Sequence, residues 1–336
     1  MSNLLKTGIF IVSAKRCAFG AFGKALKNHT ATDLAELVSK ATLKASSISP
    51  ENIDHVIFGN VIQSSKDAAY LARHVGIRVG LPIHVPAVTI NRLCGSGFEA
   101  IVQGAQHGMI ALLFVVLGLD KDCLKAIHLE RTESMSQAPF AVRNIRFGTS
   151  LGANIEFEDV LWQGLSDQQE CDEYAKNGLV NAGNASGVCD GAAAVIVANE
   201  ESVEKFHLTP LVLEAIRRLC KKTGIELNKV DLIESLTLRF HFVIHLRLST
   251  IMSFDYYTIN EAFAPQVLSV QRELGIDFDR LNVNGGAIAL GHPLAASGAR
   301  ISAHLAYELK RRNVRYGIGS ACIGGGQGIA MLFESV

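Results

Sequence analysis

The chain has no charge imbalance: 336 residues carry 32 lysines and arginines against 32 aspartates and glutamates. That removes the electrostatic footprint of a nucleic-acid or polyanion partner. It has no CxxC pair. Its seven cysteines, at positions 17, 94, 123, 171, 189, 220 and 322, are scattered without metal-ligand spacing, so no metal site is indicated and free thiols in a reducing compartment are the default. No signal sequence is expected, because the one apolar run near the start, residues 8–12, is too short for an h-region with a cleavage site and reads as a first strand. No membrane span is expected either. The apolar stretch 236–257 is interrupted by Arg239, His241, His245, Arg247 and Asp255, too many charges for a bilayer core.

What is present is apolar bulk, with 49% hydrophobic residues, enough for a large core in one or two domains. Short apolar runs alternate with helical periodicity. Residues 9–12 read as a strand, and 32–45 as a helix with Thr30 or Thr32 near its N-cap. Strands at 55–59 and 87–90 flank a helix at 68–79, and a helix follows at 97–107. Further on, helices are expected at 211–222, 264–274 and 297–311, with strands at 193–198, 230–234, 314–319 and 328–333. This alternation predicts βαβ units and a mostly parallel, buried sheet, hence an α/β fold.

Three glycine-rich turns carry the chemistry. Cys94 lies in Asn91-Arg92-Leu93-Cys94-Gly95-Ser96-Gly97, between a strand and a helix, where the helix dipole favours a thiolate, the nucleophilic form of cysteine. His292 lies in Gly291-His292-Pro293, and an imidazole with a reference pKa near 6.5 suits proton abstraction from a thiol. Cys322 lies in Cys322-Ile323-Gly324-Gly325-Gly326-Gln327-Gly328, and a thiol with a reference pKa near 8.5 can return a proton to carbon. Each half of the chain is expected to carry a strand, a reactive turn and a helix in that order.

These stretches, together with Asn260-Glu261-Ala262-Phe263-Ala264 and the Gly183–Ala192 turn, resemble the signatures of the thiolase family, and within it the mitochondrial-type 3-ketoacyl-CoA thiolases. The resemblance implies a layered αβαβα fold of two similar halves. It also implies Cys94 as nucleophile, His292 as base, Cys322 as acid, and Asn260 holding a water beside His292. The backbone N–H groups of Cys94 and Gly324 would form a second oxyanion hole. The implied reaction is thiolytic cleavage of a 3-ketoacyl-CoA by CoA, a co-substrate rather than a resident cofactor, in fatty-acid β-oxidation. Acyl-CoA and CoA are the implied partners, a homo-oligomer (dimer or tetramer) the implied assembly, and the mitochondrion the implied location.

The likeness is interrupted. It lapses over 112–131, where the family has a buried strand. After Asp167 the family's loop domain, which covers CoA, is reduced to a remnant. Residues 235–259 have no family counterpart and read as an insertion before Asn260. The expected organisation is an N-terminal half over 1–149 completed by 180–205, a loop-domain remnant at 150–179, and a C-terminal half over 206–336. The competing expectation is a thiolase-like chain, impaired or incomplete, that lacks CoA binding.

Overall fold

In the computed structural model, the described residues are 9–107, 111–117, 146–148, 154–156, 183–210, 212–214, 255–324 and 327–335. The expected strand at 230–234 and residues 150–153 and 157–179 of the loop-domain remnant lie outside them.

One sheet runs through the molecule. Its strands are β1 (Ile9–Arg16), β2 (Gly20–Ala21), β3 (His55–Asn60), β4 (Ala87–Ile90), β5 (Ala111–Leu117), β8 (Cys189–Asn199), β9 (Val212–Glu214), β10 (Tyr256–Ile259), β11 (Tyr316–Ile323) and β12 (Gln327–Ser335). The order is β10-β11-β12-β9-β1-β8-β5-β3-β4, with β2 attached to β8. A separate pair, β6 (Arg146–Gly148) and β7 (Asn154–Glu156), stands apart.

The sheet is mixed, which corrects the expectation of a mostly parallel one. β3 pairs in parallel with β4 and β5, and β10 with β11. β8, however, runs antiparallel to both β1 and β5, and β12 antiparallel to β11 and β9. Burial explains why the sequence misled: β8 is buried at every residue but its last, and an unbroken apolar run looks the same in a covered sheet of either sense.

Three further differences concern single elements. The helix expected at 211–222 opens instead as β9, which joins the two halves by pairing with β1 on one side and β12 on the other. The strand of the 112–131 stretch is present as β5, seated between β3 and β8. The last part of the stretch read as an insertion forms β10, whose parallel pairing with β11 delivers the chain to Asn260.

Helices cover and divide the sheet. α1 (Ala31–Ser46) is fixed at its start by a capping box, Thr30 Oγ1 accepting from the Asp33 N–H and Asp33 accepting from the Thr30 N–H, an arrangement that contributes about 1 kcal/mol. Its Leu34, Ala35 and Val38 join α2 (Leu71–Arg78) and the β8 residues Ala192, Ala194, Ile196 and Ala198 in one core. The alternate β8 residues Ala193, Val195 and Val197 face a second core, as the two-residue period of a strand requires.

That second core surrounds α3 (Ser96–His107) and α7 (Ala296–Arg312), which lie between the β1-β8-β5 part of the sheet and the β11-β12 part. A smaller cluster of Ile259, Val267 and Ile276 packs α5 (Ala264–Leu274) beyond β10. The succession is helix, sheet, helix, sheet, helix. Two short helices, α4 (Glu200–Lys205) and α6 (Ala287–Leu290), complete the described elements. Among the described residues no helix is long and apolar enough to cross a membrane, and Cys17, Cys94, Cys189 and Cys322 are not in disulfides.

The crossing of α3 and α7 positions the reactive turns. A Cβ on Gly97 would lie 2.5 Å from the Ala299 nitrogen and 2.8 Å from the Ala295 oxygen, and one on Gly298 would run into the backbone of Phe98. With no side chain on either glycine the helices touch backbone to backbone near their N-terminal ends. Cys94 lies two residues before α3 and His292 four residues before α7, so this contact brings them together.

Candidate active site

The Cys94 turn is built tightly. Leu93 is held in the left-handed region at φ 47°, a conformation that costs a residue with a Cβ about 1 kcal/mol. Its surroundings impose it: the Leu93 N–H donates to Asn91 Oδ1 at 3.0 Å, and Ser96 Oγ donates to the Leu93 carbonyl at 2.7 Å while accepting the Arg92 N–H at 2.9 Å. The result presents Cys94, partly exposed, at the positive end of α3. A cleft of about 530 Å³ lined by Ile90, Asn91, Arg92, Glu99, Gln103 and Gln327 opens beside this turn.

His292 is reached through α6 and Gly291. Gly291 adopts φ 96°, and a Cβ there would lie 2.5 Å from Cys189 Sγ, so only glycine admits this turn. His292 is 1% exposed. Its Nε2 is 3.3 Å from Cys94 Sγ and 3.3 Å from Asn260 Nδ2, and its Nδ1 is 2.6 Å from Ser297 Oγ. These contacts suit the tautomer protonated at Nδ1. Ser297 Oγ donates to the Pro293 carbonyl at 3.2 Å, which leaves its lone pairs to accept Nδ1–H. The Asn260 amide nitrogen is a donor only, so it requires a lone pair at Nε2. In that tautomer the unprotonated nitrogen faces the cysteine.

Asn260 follows β10, and its N–H donates to the Ser320 carbonyl on β11 at 2.8 Å. The side chain is fully buried, and its Oδ1 makes no hydrogen bond among the described residues. It is an acceptor available to a water or a substrate group. The Gly183–Ala192 turn stitches these parts together: Ala264 N–H donates to Asn184 O, Ser186 Oγ donates to Ala262 O, and the His292 N–H donates to Gly187 O.

Cys322 lies inside β11, opposite Gly328 on β12, and not in a turn as expected. The strand runs past its expected end at Gly319 because β12 pairs with it as far as Ile323. Cys322 sits between Ser320, which holds Asn260, and Ile323, whose side chain fills the space beside Gly95. Gly324 is the turn residue that follows. Cys94, His292 and Asn260 are thus joined by direct contacts, while Cys322 lies two residues along β11 from Ser320, which accepts the Asn260 N–H, and Gly324 follows the end of that strand.

Sequence reasoning missed Ser297, the acceptor for Nδ1–H, and the polar group behind Asn260. Asn282 binds both backbone groups of Ile259, accepting its N–H at 2.9 Å and donating to its carbonyl at 3.0 Å. Burial pushes the Glu261 carboxyl above its ordinary range, opposed by hydrogen bonds from Asn282 and the Ile288 N–H. Burial, reinforced by Arg300, holds the His304 imidazole down to about 4, where it bridges Thr258 and Asn284. Among the described residues no three His, Cys, Asp or Glu side chains converge as a metal site would need.

Comparison with known proteins bears on this arrangement. The family described as "Thiolase, N-terminal domain" matches residues 9–173, and "Thiolase, C-terminal domain" matches residues 241–335. The mitochondrial 3-ketoacyl-CoA thiolase of Homo sapiens is 42% identical, covering 98% of this chain and 99% of its own. That alignment runs over 428 positions against a chain of 336 residues, so stretches of the relative have no counterpart here. An acetyl-CoA acetyltransferase of Cupriavidus necator is 31% identical over the same shares of the two chains. The crystal structure of human mitochondrial 3-ketoacyl-CoA thiolase in complex with CoA superimposes with a TM-score of 0.70 at 38% identity, covering 98% of each chain.

Proposed function

The chain belongs to the thiolase family, and from that premise we propose that it is an acetyl-CoA C-acyltransferase cleaving 3-ketoacyl-CoA with CoA. The observation that carries the proposal is the Nε2 of a buried His292 lying 3.3 Å from Cys94 Sγ. That is the geometry of a thiol and its base.

His292 removes the Cys94 proton, and the thiolate attacks the 3-keto carbon. The C2–C3 bond breaks, leaving an acyl group on Cys94 and an acetyl-CoA enolate, which Cys322 protonates at carbon. The Cys322 thiolate left behind recovers the proton held on His292, which frees Nε2 to deprotonate the thiol of a second CoA; the CoA thiolate takes the acyl group, and the departing Cys94 thiolate regains a proton from His292. The negative charge on the attacked carbonyl oxygen is met by the backbone N–H groups of Cys94 and Gly324. The thioester oxygen is met by His292 and a water held on Asn260, whose buried Oδ1 supports that role. Each such donor contributes about 3 kcal/mol to transition-state stabilisation.

The names of its relatives, mitochondrial 3-ketoacyl-CoA thiolases, support the mitochondrion as the setting. Thiolysis of acetoacetyl-CoA tests the proposal: CoA-dependent turnover abolished by Cys94→Ala is the expected result, and turnover that survives Cys94→Ala would refute it.

A further inference from the structure

We infer that Glu261, oriented by Asn282, is a positioning residue that sets the depth and angle of His292. This rests on the proposed function for its meaning in catalysis. The structural claim concerns only the Cys94–His292 pair.

The segment from Gly286 to His292 is held at both ends by two adjacent residues. Asn260 meets its far end, Nδ2 lying 3.3 Å from His292 Nε2. Glu261 meets its near end, its Oε2 accepting the Ile288 N–H at 3.2 Å. Ile288 is in the first turn of α6, whose N-cap Gly286 has no side chain to satisfy that turn. The Glu261 carboxylate supplies the acceptor from outside the helix, and it fits because Gly286 is a glycine, a Cβ there overlapping the carboxylate itself. The other oxygen, Oε1, accepts from Asn282 Nδ2 at 2.7 Å, and Asn282 also clamps the backbone of Ile259, the residue before Asn260. Asn282 is 6% exposed and held at φ 49°, a conformation that asparagine tolerates better than most residues.

One carboxylate therefore couples the strand that carries Asn260 to the helix that leads into His292. With its two bonds removed, α6 loses its external cap and His292 loses a fixed starting point. A displacement of about 1 Å at a catalytic group costs on the order of 100-fold in rate. The loss falls on kcat because Glu261 touches neither Cys94 nor the cleft.

The test compares Glu261→Ala and Glu261→Gln with the unaltered protein in two assays. One is the pH dependence of Cys94 alkylation by iodoacetamide, located by peptide mass spectrometry, which needs no thiolase activity. The other is steady-state thiolysis of acetoacetyl-CoA. Glu261→Ala is expected to raise the alkylation midpoint and to lower kcat about 10- to 100-fold with KM changed less than about threefold. Glu261→Gln, which keeps one acceptor oxygen, is expected to recover most of both. An alkylation profile identical in all three proteins overturns the inference, as does a rise in KM at unchanged kcat. If the alanine variant does not fold, Glu261→Asp, which keeps the carboxylate but draws it back by one methylene from the Ile288 N–H, decides the matter: a raised midpoint supports the inference and an unshifted one overturns it. Absence of turnover in the unaltered protein would count against the proposed function and leave the alkylation result to judge the positioning role.

Discussion

Replacing Ser297 with alanine removes the hydroxyl that receives the His292 Nδ1–H at 2.6 Å. Ser297 is fully buried and His292 is 1% exposed, so bulk water does not take over that hydrogen bond freely. Withdrawing the acceptor from a buried donor costs about 1–3 kcal/mol. The penalty grows when His292 carries a proton from Cys94, because the imidazolium donates more strongly than the neutral ring. Only that growth, about 1–1.5 kcal/mol between a neutral and a charge-assisted hydrogen bond, slows the step, and at about 1.4 kcal/mol per tenfold it is a fall of about 5- to 12-fold in the acylation rate. The assay is single-turnover formation of the acyl-enzyme by rapid quench, alongside a thermal melt to show that the variant is folded. A folded Ser297→Ala protein that acylates at the unaltered rate would refute the assignment of the tautomer, and with it the reading of Nε2 as the base.

Two other outcomes follow from the same geometry. Gly298→Ala puts a methyl group into the Phe98 backbone and 2.9 Å from the Gly97 carbonyl carbon, and backbone cannot rotate away. A loss of about 1–3 kcal/mol in stability is expected by denaturant titration, with slower Cys94 alkylation as α3 and α7 separate; an unchanged unfolding midpoint would contradict the close crossing. For His304, the folded value of about 4 lies below the unfolded 6.5, so the unfolded chain binds the proton first. That contribution to stability is complete above about pH 6.5 and is lost as the pH falls toward 4, by up to about 3 kcal/mol. His304→Gln should flatten the decline in melting temperature across that window, and an equally steep decline in the variant would remove His304 as its cause.

Much of this was legible in the sequence where short-range chemistry decides. Thr30 with Asp33 announces the start of α1, and the glycines around Cys94 and His292 announce turns that side chains could not make. Asn260, His292 and Cys94 were all named from their motifs, and the folded chain places them in contact. What was not legible depends on partners that no local pattern announces. Ser297 acts through a histidine in the preceding loop, and Asn282 acts on Ile259, 23 residues away. β9 reads as helical because its local pattern carries no sign of the two strands, β1 and β12, that recruit it. β10 reads as part of an insertion for the same reason, since its strand character comes from β11.

The most direct test of the account is intact mass spectrometry of the purified chain after incubation with acetoacetyl-CoA, followed by peptide mapping. The predicted result is an acetyl adduct on Cys94 that added CoA removes. A chain folded by circular dichroism that forms no adduct on Cys94 would contradict it.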